Sequence, residues 1–186
     1  MKKYWDNAIT FEEYMEVARQ RAENPGENDG YKEYYELGLQ RMERTLKTFK
    51  LSPETQEAFK SKKFTGKILI ITEPWCGDAS ATVPAVSKFF EAAGNEVRIF
   101  LRDSDLTLID QFLTNGTQSI PKVLILNNDL TLKSDWGPRP KYGMDLLKKF
   151  KENEETYPRE EFYNDLQVYY AKNRGADAIE EIINLI

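Results

Sequence analysis

The stretch that decides the fold is Ile68-Leu69-Ile70-Ile71-Thr72-Glu73-Pro74-Trp75-Cys76-Gly77-Asp78. Its first five residues are apolar or β-branched with no polar alternation, the pattern of a strand buried on both faces. Glu73 to Asp78 breaks that run with a turn, and a helical segment follows to about Ala93, where Gly94-Asn95 ends it. Val97 to Leu101 is a second strand, so the three pieces form a β-α-β unit and its two strands are parallel. Leu106 to Leu113 is expected to be a helix closed by Asn115-Gly116. Val123 to Leu126 is a third strand. Asn127-Asn128-Asp129 turns the chain into a fourth at Leu130 to Lys133. Trp136 to Pro140 (WGPRP) is then a rigid extended loop. The expected class is α/β, a mixed four-stranded sheet flanked by helices.

Outward from this core the chain is helical in both directions. Thr10 and Glu13 make a capping box ahead of Phe11, Tyr14, Met15 and Ala18. Glu23 to Gly30 (ENPGENDG) is all turn formers. A second helix spans about Tyr31 to Phe49, with an aromatic and aliphatic stripe suited to covering a face of the sheet. Ser52-Pro53 starts a third, and Lys60 to Lys67 is a basic linker. After the sheet, helices cover about Lys141 to Glu152, Arg159 to Lys172, and Ala176 onward, with Gly175 between the last two. The expected organisation is a helical N-terminal extension over 1–62 packed on the core, the core itself over 63–152, and C-terminal helices over 153–186 in the same domain.

Composition bounds the chemistry. None of the 186 residues is histidine, which excludes a Ser-His-Asp triad and any His-ligated metal. Cys76 is the one cysteine, which excludes an internal disulfide and a Cys-x-x-Cys dithiol. A net charge of -5 gives no electrostatic reason to seek nucleic acid or an anionic membrane. No apolar run approaches a membrane span, and the lysines at the start lead into no apolar signal-peptide region. The chain reads as a cytoplasmic monomer with no cofactor and no metal site. Glu73, Asp78, Asp103 and Asp105 read as solvated loop acids, and Arg102 and Arg139 as partners of Asp103 or Asp135.

The feature that carries chemistry is Cys76. A buried strand delivers it to a helix N-terminus, where free N–H groups and the helix dipole favour a thiolate. Glu73 and Asp78 oppose that, so a modest lowering of its pKa is expected. The second feature is Ile120-Pro121, at the entrance to the third strand, where a cis bond would let the backbone face an incoming extended peptide.

Together these residues resemble the thioredoxin superfamily. Trp75-Cys76-Gly77-Asp78-Ala79 is similar to the redox turn Trp-Cys-Gly-Pro-Cys, with Asp78 for proline and Ala79 for the second cysteine. Pro84 stands where that family kinks its active-site helix, and Ser119-Ile120-Pro121 resembles the cis-proline loop facing the redox turn. Arg102-Asp103, Thr114 to Lys122 and Trp136 to Pro140 are similar to elements of an uncharacterised bacterial subgroup of that family. The resemblance implies a catalytic Cys76 with Trp75, Gly77, Asp78, Ile120 and Pro121 binding substrate. Two departures qualify it. Ala79 removes the thiol that would resolve a mixed disulfide, and Ile70 stands where thioredoxins carry a buried aspartate. The favoured expectation is a single-cysteine thiol-disulfide oxidoreductase, with a protein or low-molecular-weight thiol as substrate and an exposed Cys76 whose pKa lies below that of a free thiol. The alternative is a redox-inactive binding module that holds an extended peptide at the Ile120-Pro121 loop. A one-cysteine peroxidase ranks last, because Thr72 and Pro74 have the wrong spacing.

Overall fold

The computed structural model describes residues 1–186 apart from Asn28 and Leu51. Its elements run α1 (Lys2–Asp6), α2 (Phe11–Glu23), α3 (Lys32–Thr48), α4 (Pro53–Ser61), β1 (Lys67–Thr72), α5 (Gly77–Ala92), β2 (Val97–Leu101), β3 (Lys122–Leu126), β4 (Leu132–Trp136), α6 (Lys141–Glu152), α7 (Arg159–Asn173) and α8 (Ala176–Leu185). The sheet order is β2-β1-β3-β4. β1 runs parallel to β2 in the register Ile70↔Ile99, and antiparallel to β3 in the register Ile70↔Val123. Ile68 to Ile71 are fully buried, as a central strand's unbroken apolar run requires. The result is the expected α/β arrangement, a mixed four-stranded sheet flanked by helices.

Local chemistry explains the helix starts. The Thr10 side chain accepts from the Glu13 N–H at 3.2 Å, and the Glu13 carboxylate accepts from the Thr10 N–H at 2.7 Å. Ser52 caps α4 through the Thr55 N–H, with Pro53 at the first helical position. At the other end of the chain, Arg174 and Gly175 both adopt left-handed backbone and turn α7 into α8.

Four expectations need correction. The N-terminus carries an additional short helix, α1, whose Trp5 is buried under Arg98 and Lys67. Leu106 to Leu113 is not a helix. Asp105 accepts from the Thr107 N–H and hydroxyl, and only one 3₁₀ turn (Ile109–Gln111) forms over buried Leu108 and Ile109. β4 begins two residues late because Asp129 holds Thr131 in the turn and Leu130 takes a positive φ; the strand then runs on to Trp136. Finally, α3 packs chiefly on helices α5 and α2, while α2 and α1 reach β2. The Glu23 to Gly30 turn includes Asn28, which lies outside the described residues.

α8 closes the other end of the sheet. Its Ile179, Ile182 and Ile183 enter the main core, and its Glu181 accepts from Trp136 Nε1 at 2.7 Å and from the Lys141 N–H at 2.8 Å. Those two bonds fix the β4–α6 corner next to the site.

Candidate functional site

β1 ends at Thr72, and the turn that follows is closed by the Cys76 N–H, which donates to Glu73 O at 3.1 Å. Cys76 is the N-cap of α5. Facing it is the loop before β3, where the Ile120–Pro121 peptide bond is cis and the Cys76 thiol donates to Ile120 O at 3.4 Å. The Gly137–Pro138 bond is also cis. Gly137 has φ +119°, and a Cβ there would come within 2.3 Å of Pro121 O, so only glycine lets these two loops meet.

Two expectations about Cys76 are overturned. The residue is 7 % exposed rather than open to solvent. Its pKa is not lowered but pushed up to about 12. Burial is the main cause, and the Asp78 carboxylate adds to it; the N–H groups of Ala79 and Asp78 and the charge of Arg139 pull the other way and lose. The helix N-terminus is where the sequence places it, but desolvation outweighs it.

Asp78 is also enclosed. Arg139 donates through Nη2 to Oδ2 at 2.6 Å and through Nε to Oδ1 at 3.0 Å, and Tyr170 donates its hydroxyl to Oδ1 at 2.7 Å. Burial disfavours the Arg139 cation, yet the Asp78 charge holds its pKa above the ordinary value. Burial, then the Asp78 charge, drives the Tyr170 hydroxyl well above its usual range. Arg139 thus pairs with Asp78, not Asp135, which takes Lys122 at 2.8 Å. Arg102 does pair with Asp103, at 2.7 Å.

Glu73 corrects another expectation. It is not a solvated loop acid but fully buried, bonded to Arg21 at 2.7 Å and to the Asp103 N–H at 2.8 Å. Burial raises its pKa despite both bonds. Its one local signal was its place directly after a strand buried on both faces; its cation comes from α2, far away in sequence. Trp75 stacks on Tyr31 (centroids 4.1 Å apart, planes 7° apart), has the Arg102 guanidinium 4.8 Å from its ring centre, and donates Nε1 to Asp103 at 3.2 Å.

Two clefts meet at this turn. One, of about 670 Å³, lies between α3 and α7 and is walled by Trp75, Cys76, Gly77, Asp78 and Arg139. The other, of about 310 Å³, lies on the opposite side against Thr117 to Ile120 and Pro138, and shares Trp75, Cys76, Asp78 and Arg139. The structure therefore brings together Trp75, Cys76, Gly77, Asp78 and Ile120. Pro121 is buried, its carbonyl turned toward Gly137. Sequence reasoning missed Tyr31, Tyr34, Arg41, Tyr163 and Gln167, which α3 and α7 deliver to the larger cleft. No group of His, Cys, Asp and Glu side chains is arranged to hold a metal ion among the described residues. Among them, too, no helix is long and apolar enough to cross a membrane.

Solved structures share this architecture. The crystal structure of a protein of unknown function, PA1234, from Pseudomonas aeruginosa superposes with a TM-score of 0.66 at 16 % identity, over 97 % of this chain and 92 % of that one. An HIV epitope scaffold of the 4E10 series superposes with a TM-score of 0.68 at 15 % identity, over 99 % and 95 % of the two chains. At such identities the likeness is one of fold. No curated protein sequence matches the chain. A family model described as thioredoxin matches residues 26–152, from within the α2–α3 turn through α6. With most of the chain inside that match, and with the turn at Cys76 set against Ile120-Pro121, the protein belongs to the thioredoxin family.

Proposed function

We propose that this chain is a thioredoxin-fold binding module that takes an extended peptide along Gln118 to Ile120, with Cys76 serving as a protonated donor rather than a nucleophile. The observation that carries this reading is the enclosed thiol, 7 % exposed, bonded to Ile120 O and pushed up to about 12. At neutral pH such a sulfur is a thiol, and the thiolate is the reactive form. Ala79 leaves no second sulfur to release a trapped partner. Among the described residues no acceptor is paired with the N–H of Gln118, Ser119 or Ile120, and this segment lines the smaller cleft. Unpaired N–H groups beside a cleft are what strand addition by a peptide uses, while Gln118 O and Ile120 O are held by Arg102 and Cys76.

The test is a peptide-display selection under reducing conditions, against wild type and Cys76→Ser. Extended segments should be enriched on both proteins, with affinities within about twofold. Failure to enrich any peptide, or binding that vanishes with reductant or in Cys76→Ser, would overturn the proposal.

A second reading, a single-cysteine thiol-disulfide oxidoreductase, draws on the position of Cys76 in both clefts. In it the Cys76 thiol loses its proton, attacks one sulfur of a disulfide and expels the other as a thiolate. An external thiol then displaces Cys76 from the mixed disulfide. This reading requires the sulfur to emerge from its present enclosure.

A further inference from the structure

The larger cleft carries more positive than negative charge on its walls. The chain is acidic, with a net charge of -5. Yet the cleft holds Arg41, Arg139 and Arg159 against one carboxylate, Asp78, which is already committed to Arg139 and Tyr170. Arg41 is half-buried on α3, and among the described residues no acceptor or carboxylate meets it; burial alone acts on its charge and lowers its pKa. Its Nη1 and the Gln167 Nε2 converge over Gly77, 3.8 and 3.9 Å from where a Cβ would stand. Among the described residues Arg159, on α7, is met only by Tyr163, its hydroxyl at 3.3 Å and its ring centre at 5.4 Å. Among the described residues, two cations in one concave space therefore lack a counter-ion.

The walls around these cations are aromatic. Tyr31, Tyr34 and Tyr163 are 40, 55 and 43 % exposed, yet all line this cleft. Tyr31 already stacks on Trp75, whereas Tyr34 on α3 and Tyr163 on α7 place exposed rings on facing walls, which suits a planar group. A cleft of about 670 Å³ lies within the range that encloses a small organic ligand.

We infer that the cleft between α3 and α7 binds a small planar molecule carrying one or two negative charges, with its ring among Tyr31, Tyr34 and Tyr163 and its anionic group at Arg41, Gln167 and Arg159. The site lies across the Trp75–Cys76 turn from the peptide segment, and the two share Trp75, Cys76, Asp78 and Arg139 as walls. Both a carboxylate and a phosphate fit the guanidinium and amide donors.

Titration calorimetry with AMP and with indole-3-acetate, each beside its uncharged counterpart (adenosine and 3-methylindole), tests this. At least one of the two anions should bind one-to-one with a submillimolar Kd, about tenfold or more tighter than its counterpart; which one binds identifies the anionic group. Arg41→Gln should weaken that anion about tenfold and leave the neutral compound unchanged. Tyr34→Ala should weaken both members of the pair, and it preserves the charges. If neither anion binds below millimolar concentration, or if Arg41→Gln leaves the binding intact in a folded protein, the inference is wrong.

Discussion

Gly38 lies on α3 where that helix crosses the turn before Cys76, and a Cβ there would sit 2.6 Å from Pro74 O. Ordinary contact begins at about 3.4 Å, so Gly38→Ala must open the gap by about 0.8 Å. The obstructing atom is backbone, and the turn that holds it is closed by the Cys76 N–H on Glu73 O, so the helix must yield. Alanine gains about 1 kcal/mol over glycine in a helix interior, while overpacking of this kind costs about 1–3 kcal/mol. The net is a destabilisation of up to about 2 kcal/mol, and about 2–4 °C of Tm per kcal/mol for a chain of this size. Gly143→Ala is the control. It too is helical and buried, but its Cβ would meet Leu166 and Arg139 side-chain atoms at 3.2–3.4 Å, so these need give by only a few tenths of an ångström and its Tm should fall less than that of Gly38→Ala. Thermal unfolding by circular dichroism reads both variants, and fluorescence in a background with Trp5 and Trp136 replaced by Phe reports whether the stacking of Trp75 on Tyr31 is disturbed. A Gly38→Ala protein as stable as Gly143→Ala, with unchanged fluorescence, would refute the claim that α3 is seated against the Pro74 carbonyl.

Other consequences follow from the same contacts. Arg139→Met leaves the Asp78 carboxylate enclosed with only the Tyr170 hydroxyl and should cost about 3 kcal/mol in urea unfolding; a loss under about 1 kcal/mol would mean that Asp78 is solvated after all. A double-mutant cycle on Arg21→Met and Glu73→Gln should give a coupling above about 1 kcal/mol, because Glu73 is fully buried although Arg21 is partly exposed; additive effects would contradict the ion pair. The Cys76 pKa is raised on folding, so the folded state holds this proton longer, and the associated stability is complete below about pH 9 and lost as pH rises towards about 12. Wild type should therefore lose stability more steeply than Cys76→Ala over that window, by up to about 1.4 kcal/mol per pH unit, when urea unfolding is compared at pH 8, 9, 10 and 11.

What could be read from the sequence was what neighbours along the chain decide. Ile68 to Thr72 needs no partner to declare itself a buried strand, Thr10 with Glu13 carries its own capping bonds, and Ser52-Pro53 starts a helix on local chemistry. What failed was decided across long separations. The environment of Cys76 comes from Ile120, Asp78 and the mass of the packed fold, so its position at a helix N-terminus was legible and its desolvation was not. Glu73 takes its cation from Arg21, and Asp78 takes its hydrogen bonds from Arg139 and Tyr170. The larger cleft was invisible because its walls are α3 and α7, whose tyrosines and arginines look like ordinary solvated helix residues until the two helices are placed together. The stretch Leu106 to Leu113 failed for a different reason: Asp105 offers its backbone a competing turn.

The most direct test of the account is the rate at which iodoacetamide alkylates Cys76 as pH is raised, in the folded protein and in urea, where the same single thiol serves as its own reference. The account predicts that at pH 7 the folded protein reacts slower by about a thousandfold, since a thiol near 12 holds far less thiolate than a free one near 8.5, with no titration midpoint below about pH 11. A folded-state midpoint at or below that of the unfolded chain, with an equal or faster rate, would contradict it and return Cys76 to the role of nucleophile.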